Sequence, residues 1–168
     1  FFNQFNVTVL VENEANCAAL GEYRYGAAKG IPNLIYLSAG IGMGGGILID
    51  GQLFSGSQGF AGEIGHMVIE VHGNACACGR HGCWETYVSP RAVVSRVREQ
   101  FSAGSPTSLL EITKGIMQYL TFTQIVSAAR QGDALSIQAL AEVAHYLGLG
   151  IANLINIFNP CFFQFFFM

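Results

Sequence analysis

Between Glu63 and Glu85 the chain reads EIGHMVIEVHGNACACGRHGCWE, and this stretch limits what the chain can become more than any other. Cys76, Cys78 and Cys83 stand in the pattern C-x-C-G-x-x-G-C, and His66 lies ten residues before the first of them. Three thiolates and one imidazole make a closed tetrahedral set for zinc. A knuckle this tight needs backbone that accepts positive φ without a Cβ clash, which Gly79 and Gly82 supply. A closed set leaves no open position for water or substrate, so the expected role of Zn2+ is structural rather than hydrolytic. The alternative is a disulfide, but Cys76 and Cys78 are poorly placed to bridge each other and one of three cysteines would be left over. Glu63 and Glu85 bracket the segment, where a knuckle would hold their carboxylates beside the metal.

The rest of the composition narrows the setting. With 168 residues the chain is long enough for a proper core. Its net charge of -3 and lack of any basic run argue against nucleic-acid binding in its own right, because phosphate contacts demand a basic face. An odd number of cysteines, most of them in a metal pattern, suits a reducing, cytoplasmic compartment. Cys17 and Cys161 read as ordinary buried thiols. No run of about 18 or more purely apolar residues suggests a membrane span, and no signal peptide is visible. The chain opens on FFNQF without an initiator Met and ends on the uncharged aromatic run CFFQFFFM, which reads as a piece of a longer protein.

The remaining segments carry a mixture of strand and helix signals. Val7–Val11 is rich in β-branched residues and predicts a buried strand. The following ENEAN, residues 12–16, would sit at that strand's C-terminal end, where α/β folds place ligand groups. Asn13 and Glu14 also suit the start of a helix, Asn as N-cap and Glu in the first turn, and the helix is expected from about Ala15 to Ala28, stopped by Gly30 and Pro32. A strand at 34–37 runs into the Gly-rich SAGIGMGGG of residues 38–46, and Asp50-Gly51 signals a type I′ hairpin turn. That Gly-rich loop, with Gly40, Gly42 and Gly44, either offers backbone N–H groups to a phosphate or is a tightly packed bulged turn. It precedes a strand rather than a helix, so it is neither a Walker A loop nor a dinucleotide fingerprint. A short strand is expected at 67–71, with His72 and His81 as exposed loop residues. Helices are expected at 85–88, from Pro90 to about Phe101, at 109–119, at QIVSAARQ capped by Thr123, and after Asp133. The last would bury one stripe through Leu140, Ala144, Leu147, Ile151, Leu154 and Phe158, leave His145 outside, and end at Asn159-Pro160. Gly148 and Gly150 weaken such a helix, and close approach of another backbone would explain them.

Taken in order, E-N-E-A-N, a Gly-rich hairpin, G-E-I-G-H and C-x-C-G-x-x-G-C-x-E resemble the ROK family of bacterial sugar-responsive repressors, open reading frames and sugar kinases. The resemblance covers about residues 7–160. It implies an actin-like, ribonuclease H-like ATPase fold, here a partial single domain made mostly of the C-terminal lobe. That domain would comprise a strand–helix start, the Gly-rich hairpin, the zinc segment 63–85, a helical region 86–160 and an atypical aromatic tail 161–168. His66, Cys76, Cys78 and Cys83 match the family's zinc ligands, and Asn13, Glu63, His66 and Glu85 match positions that hydrogen-bond a hexose-type sugar. His66 would give one ring nitrogen to zinc and the other to a sugar hydroxyl. Residues 38–46 match the family's second phosphate motif.

Two departures bear on activity. The position of Glu14 is Asp in the family's kinases, where it is the general base for the sugar hydroxyl. A carboxylate one methylene longer is displaced by roughly 1 Å, which can cost on the order of 100-fold. The Gly-rich loop also lacks the Thr of the kinases' G-T-G. Neither the kinases' early D-x-G-x-T motif nor the repressors' winged helix-turn-helix lies in these residues, and the family's glycine pair after Asn159-Pro160 is replaced by aromatics. The expected function is therefore the sugar-sensing, zinc-containing portion of a ROK-type regulator most like xylose-type repressors. The alternative is a glucokinase-like, ATP- and Mg2+-dependent sugar kinase. DNA would be contacted only through a domain outside this chain, and the family's habit implies a homo-oligomer. On this reading the segment alone phosphorylates nothing, and the identity of the sugar is not encoded in the motifs.

Overall fold

In the computed structural model, which describes residues 2–9 and 11–167, the chain forms two compact units. One comprises residues 1–37, 45–62 and 160–164, and the other residues 38–44, 63–159 and 165–168. A four-stranded sheet has β1 (Leu34–Ala39), β2 (Met43–Ile49), β3 (Gln52–Leu53) and β4 (Phe162–Phe167) in the order β3-β2-β1-β4. The β2–β3 hairpin is antiparallel, with Leu48 opposite Leu53 and Ile49 opposite Gln52. Its turn has positive φ at both central residues, 52° at Asp50 and 75° at Gly51, as a type I′ turn requires. Most of the aromatic tail forms a strand, β4.

In the first unit, α1 is a single turn at Phe2–Phe5 and α2 runs Glu14–Tyr25. The strand expected at Val7–Val11 does not form among the described residues (Leu10 lies outside them), and Val7, Val9 and Val11 are exposed. β-branched residues prefer strands only where a neighbouring strand takes up their backbone hydrogen bonds, and none of the four strands pairs here. Helix α2 is capped by Asn13, whose Oδ1 accepts from the N–H groups of Ala15 and Asn16. It ends earlier than expected, at Tyr25, because Gly26 adopts extended backbone at a place where a Cβ would collide with Glu22. Ala15, Ala19, Leu34, Tyr36 and Leu48 form the core of this unit. A Cβ on Gly46 would run into the Ala15 carbonyl and Ala19, so the glycine lets α2 lie directly on β2. Cys17, on the opposite side of α2 from Ala15 and Ala19, is exposed, and so is Cys161; neither is the buried thiol that its residue type suggests.

The second unit is mainly helical. α3 (Glu85–Val88), α4 (Pro90–Ser102), α5 (Leu109–Ile112) and α6 (Phe122–Arg130) precede α7 (Ala134–Phe158), which packs on α3, α4 and α6. Ser89 caps α4 ahead of Pro90. The helix expected at 109–119 is interrupted, because Lys114 and Gly115 both take positive φ, leaving α5 and a short 3-10 turn at Met117–Tyr119. Arg98 holds that turn by donating to the carbonyls of Met117, Gln118 and Leu120. The cap of α6 is Thr121, not Thr123; it pairs with Gln124 in a reciprocal capping box. Asp133 caps α7 as expected, and also accepts from Thr107 Oγ1, Ser108 N and Ser108 Oγ, tying the start of α5 to the start of α7.

The fully buried line of α7 shares only Leu154 with the predicted one. It runs through Leu135, Ala139, Val143, Gly150 and Leu154, while Ala144 is exposed and Leu140, Leu147, Ile151 and Phe158 are half-buried. A helix apolar on most sides carries no periodic contrast, so the pattern cannot select the face. His145 is exposed, as expected. By length and apolarity alone α7 could cross a membrane, its most apolar stretch reaching a mean hydropathy of 1.2. It packs on α3, α4 and α6.

Candidate metal centre and ligand residues

The segment from Glu63 to Glu85 has little regular structure but is closely determined. The strand expected at 67–71 reduces to one antiparallel bridge, Val68 with Cys83, and a second bridge pairs Ala75 with His81. Between them the chain doubles back: Cys76 N donates to Arg80 O at 2.8 Å, Gly79 N to Cys76 O at 3.0 Å and Gly82 N to Asn74 O at 2.8 Å. Gly79 and Gly82 both have positive φ, at 88° and 75°. At Gly82 a Cβ would also run into the Glu70 carbonyl. His66 closes a 3-10 turn, Ile64–His66, whose central Gly65 lies against the Met43 carbonyl so closely that a Cβ would not fit. That close approach is why the motif reads E-I-G-H.

This folding gathers His66, Cys76, Cys78 and Cys83, with one donor atom from each lying within 4.8 Å of all the others. Tetrahedral zinc, with Zn–S about 2.3 Å and Zn–N about 2.0–2.1 Å, sets S···S edges of about 3.8 Å and S···N edges of about 3.6 Å. Cys78 Sγ and Cys83 Sγ are 3.6 Å apart, and Cys76 Sγ and His66 Nδ1 are also 3.6 Å apart. The donor set therefore fits one ion, and the group could hold a metal. All five cysteines are free thiols. Burial pushes the Cys76 thiol up to about 12, whereas the backbone N–H of Arg80 draws Cys78 down to about 6. Burial raises Cys83 as well.

Glu85, the first residue of α3, reaches this group. The Cys76 thiol donates to its Oε1 at 3.2 Å, and His66 Nδ1 lies 3.8 Å from the same oxygen. Its other oxygen faces the Gly-rich loop: a Cβ added to Gly42 would lie 3.3 Å from Oε2. In that loop Gly40 N donates to Gly42 O at 2.9 Å, closing a tight turn, while Gly44 already belongs to β2. Glu63 is exposed beside the 3-10 turn. A cavity of about 480 Å3 opens beside Glu85, lined also by Ile41, Asn74, Thr86, Arg91 and Arg96. The last four are not singled out by the sequence, since no motif marks them. Asn13 and Glu14, in the other unit, are exposed at the N-terminus of α2, where the Asn13 side-chain oxygen is committed to the cap. His72 and His81 are exposed and stand outside the metal group, His81 Nδ1 lying 3.2 Å from Gly73 O.

Fold and site together define an α/β chain of the actin-like ATPase fold that brings together a His–Cys group able to hold a metal. The chain belongs to the ROK family, whose model matches residues 1–164. It is 42% identical over 157 residues to a xylose repressor of Caldicellulosiruptor bescii, covering 94% of this chain and 39% of that protein. It is 40% identical over 154 residues to a glucokinase of Streptomyces coelicolor, covering 90% of this chain and 49% of that protein. Among solved structures, a ROK family glucokinase from Streptomyces griseus in complex with glucose and AMPPNP superposes with a TM-score of 0.87 at 37% identity, over 99% of this chain and 54% of that one. A ROK family transcriptional regulator, a homolog of the E. coli MLC protein, gives 0.85 at 32% identity, over 98% and 40%. The chain thus spans less than half the length of these two curated relatives.

Proposed function

We propose that this chain is the sugar-binding, zinc-bearing portion of a cytoplasmic ROK transcriptional regulator of the xylose-repressor kind. The residue that carries this reading is Glu14, which by the family resemblance matches the position of the kinases' Asp general base. The likeness to a xylose repressor over nearly the whole chain supports it. In this reading His66, Cys76, Cys78 and Cys83 hold one structural zinc, and Asn13, Glu14, Glu63, His66 and Glu85 are the sugar-contacting residues. Sugar binding shifts a two-state equilibrium that a DNA-binding domain outside these residues reads out. The complete protein forms a homo-oligomer.

A second reading is an ATP-dependent sugar kinase, favoured by the likeness to glucokinases and by the Gly40–Gly44 loop, which would lie along the phosphates. In it Glu14 is the general base and Mg2+ accompanies ATP. The test is to incubate the complete protein with xylose or glucose, ATP and Mg2+, measuring sugar binding by calorimetry and ADP release in parallel. A regulator binds sugar and releases no ADP beyond background. Steady ADP release overturns the regulator, and Glu14→Asp then shows whether the longer carboxylate had slowed the step.

A further inference from the structure

The metal group is not held in place only by its own loop; its two ends are gripped from α7. Trp84, between Cys83 and Glu85, is fully buried, and its indole N–H donates to the Tyr146 carbonyl at 2.8 Å. The ring lies so close on Gly150 that a Cβ there would overlap its six-membered ring. The glycine is therefore explained by a side chain and not by another backbone. Gly148, two residues away, faces open space, with nothing within 4 Å of where a Cβ would stand. At the other end, Tyr87 rests its ring on Tyr146, centroids 4.2 Å apart. Its hydroxyl accepts from Asn74 N at 2.9 Å, two residues before Cys76, where a Cβ on Gly73 would not fit.

We propose that Tyr146 and Gly150 of α7 are positioning residues for the metal group, fixing Cys83 and Glu85 through Trp84 and the Cys76 loop through Tyr87. This inference rests on the zinc reading above. The physical reason is leverage. Cys83, Trp84 and Glu85 are consecutive, so a displacement of the indole moves one donor and the neighbouring carboxylate together. Groups that orient metal ligands typically change affinity by about 10–100-fold when lost.

The experiment uses the complete protein and Zn2+ or Co2+ as probes, with competition titration for affinity and the visible Co2+ absorption for geometry. Wild-type protein that binds neither ion overturns the zinc reading itself and not merely this inference. Given binding by the wild type, Gly150→Ala is expected to weaken zinc by about tenfold or more and to alter the Co2+ absorption. Gly148→Ala on the same helix is expected to leave both unchanged. Trp84→Phe in the Gly150→Ala background makes room for the added methyl and is expected to recover the affinity in part. Tyr87→Phe, which keeps the ring and loses the acceptor for Asn74, is a milder variant that reads the second grip should Gly150→Ala not fold. Wild-type affinity and absorption in Tyr87→Phe and in a folded Gly150→Ala overturn the proposal.

Discussion

The Glu63–Glu85 segment and helix α7 are held by opposite means. The first contains one 3-10 turn and two isolated bridges, and its path depends on a few positions that admit one residue type. Gly65 and Gly82 have no room for a Cβ, and four donors must converge within 4.8 Å. The second is an unbroken helix of 25 residues whose neighbours are met by many apolar side chains, none of them individually decisive on its exposed flanks. In the first region structural information is concentrated; in the second it is distributed. Substitutions should therefore have sparse, large effects in one region and graded, small ones along the exposed flanks of the other.

The largest effect should follow loss of a donor. Cys83→Ser, or stripping the metal with a chelator, is expected to destabilise the second unit by several kcal/mol, on the order of 3 or more, because binding energy at a structural site is folding energy. Hydrogen exchange of the Cys76, Gly82 and Trp84 amides would show it, and unchanged protection would mean the loop stands without an ion. Next come the two knuckle glycines, which separate backbone strain from collision. Gly82→Ala combines positive φ with a clash on Glu70 O and should cost about 2 kcal/mol or more, whereas Gly79→Ala has positive φ in open space and should cost about 1 kcal/mol. Equal losses in a denaturant titration would remove collision as the distinguishing cause.

Within α7, besides Gly150 beneath Trp84, the concentrated point is its start. Burial pushes the Asp133 carboxyl up, but hydrogen bonds from Ser136, Ser108 and Thr107 outweigh it and hold the group down at about 2. A carboxyl depressed from its ordinary 3.8 contributes stability that is fully present above that value and is lost as pH falls toward about 2. Asp133→Ala should cost about 1–2 kcal/mol at neutral pH, and the difference from wild type should shrink over that acid range in melting curves. The smallest effect belongs to the exposed flank: Ile157→Ala should change stability by no more than about 0.5 kcal/mol in the same melts.

What can be read from the sequence follows the same division. The Asp50-Gly51 turn, the start of α4 at Pro90 and the Asp133 cap depend on adjacent residues, and each forms where expected. The four candidate donors are legible because their chemistry and spacing are unusual, and the structure brings them together. Val7–Val11 misleads because strand preference is satisfied only by a partner. The buried face of α7 misleads because its apolar residues surround most of the helix. The grip of Tyr146 and Gly150 on the metal segment cannot be read at all, since the Trp84–Tyr146 bond spans 62 positions.

Trp84 is also the chain's single tryptophan. Its fluorescence therefore comes from one ring, in a fully buried position, bonded at the indole nitrogen and covalently next to a candidate donor. Each arrival or departure of an ion at Cys83 should register as a change in ultraviolet emission. An ion at this candidate site would thus be reported by an optical gauge within the chain itself, with no label attached.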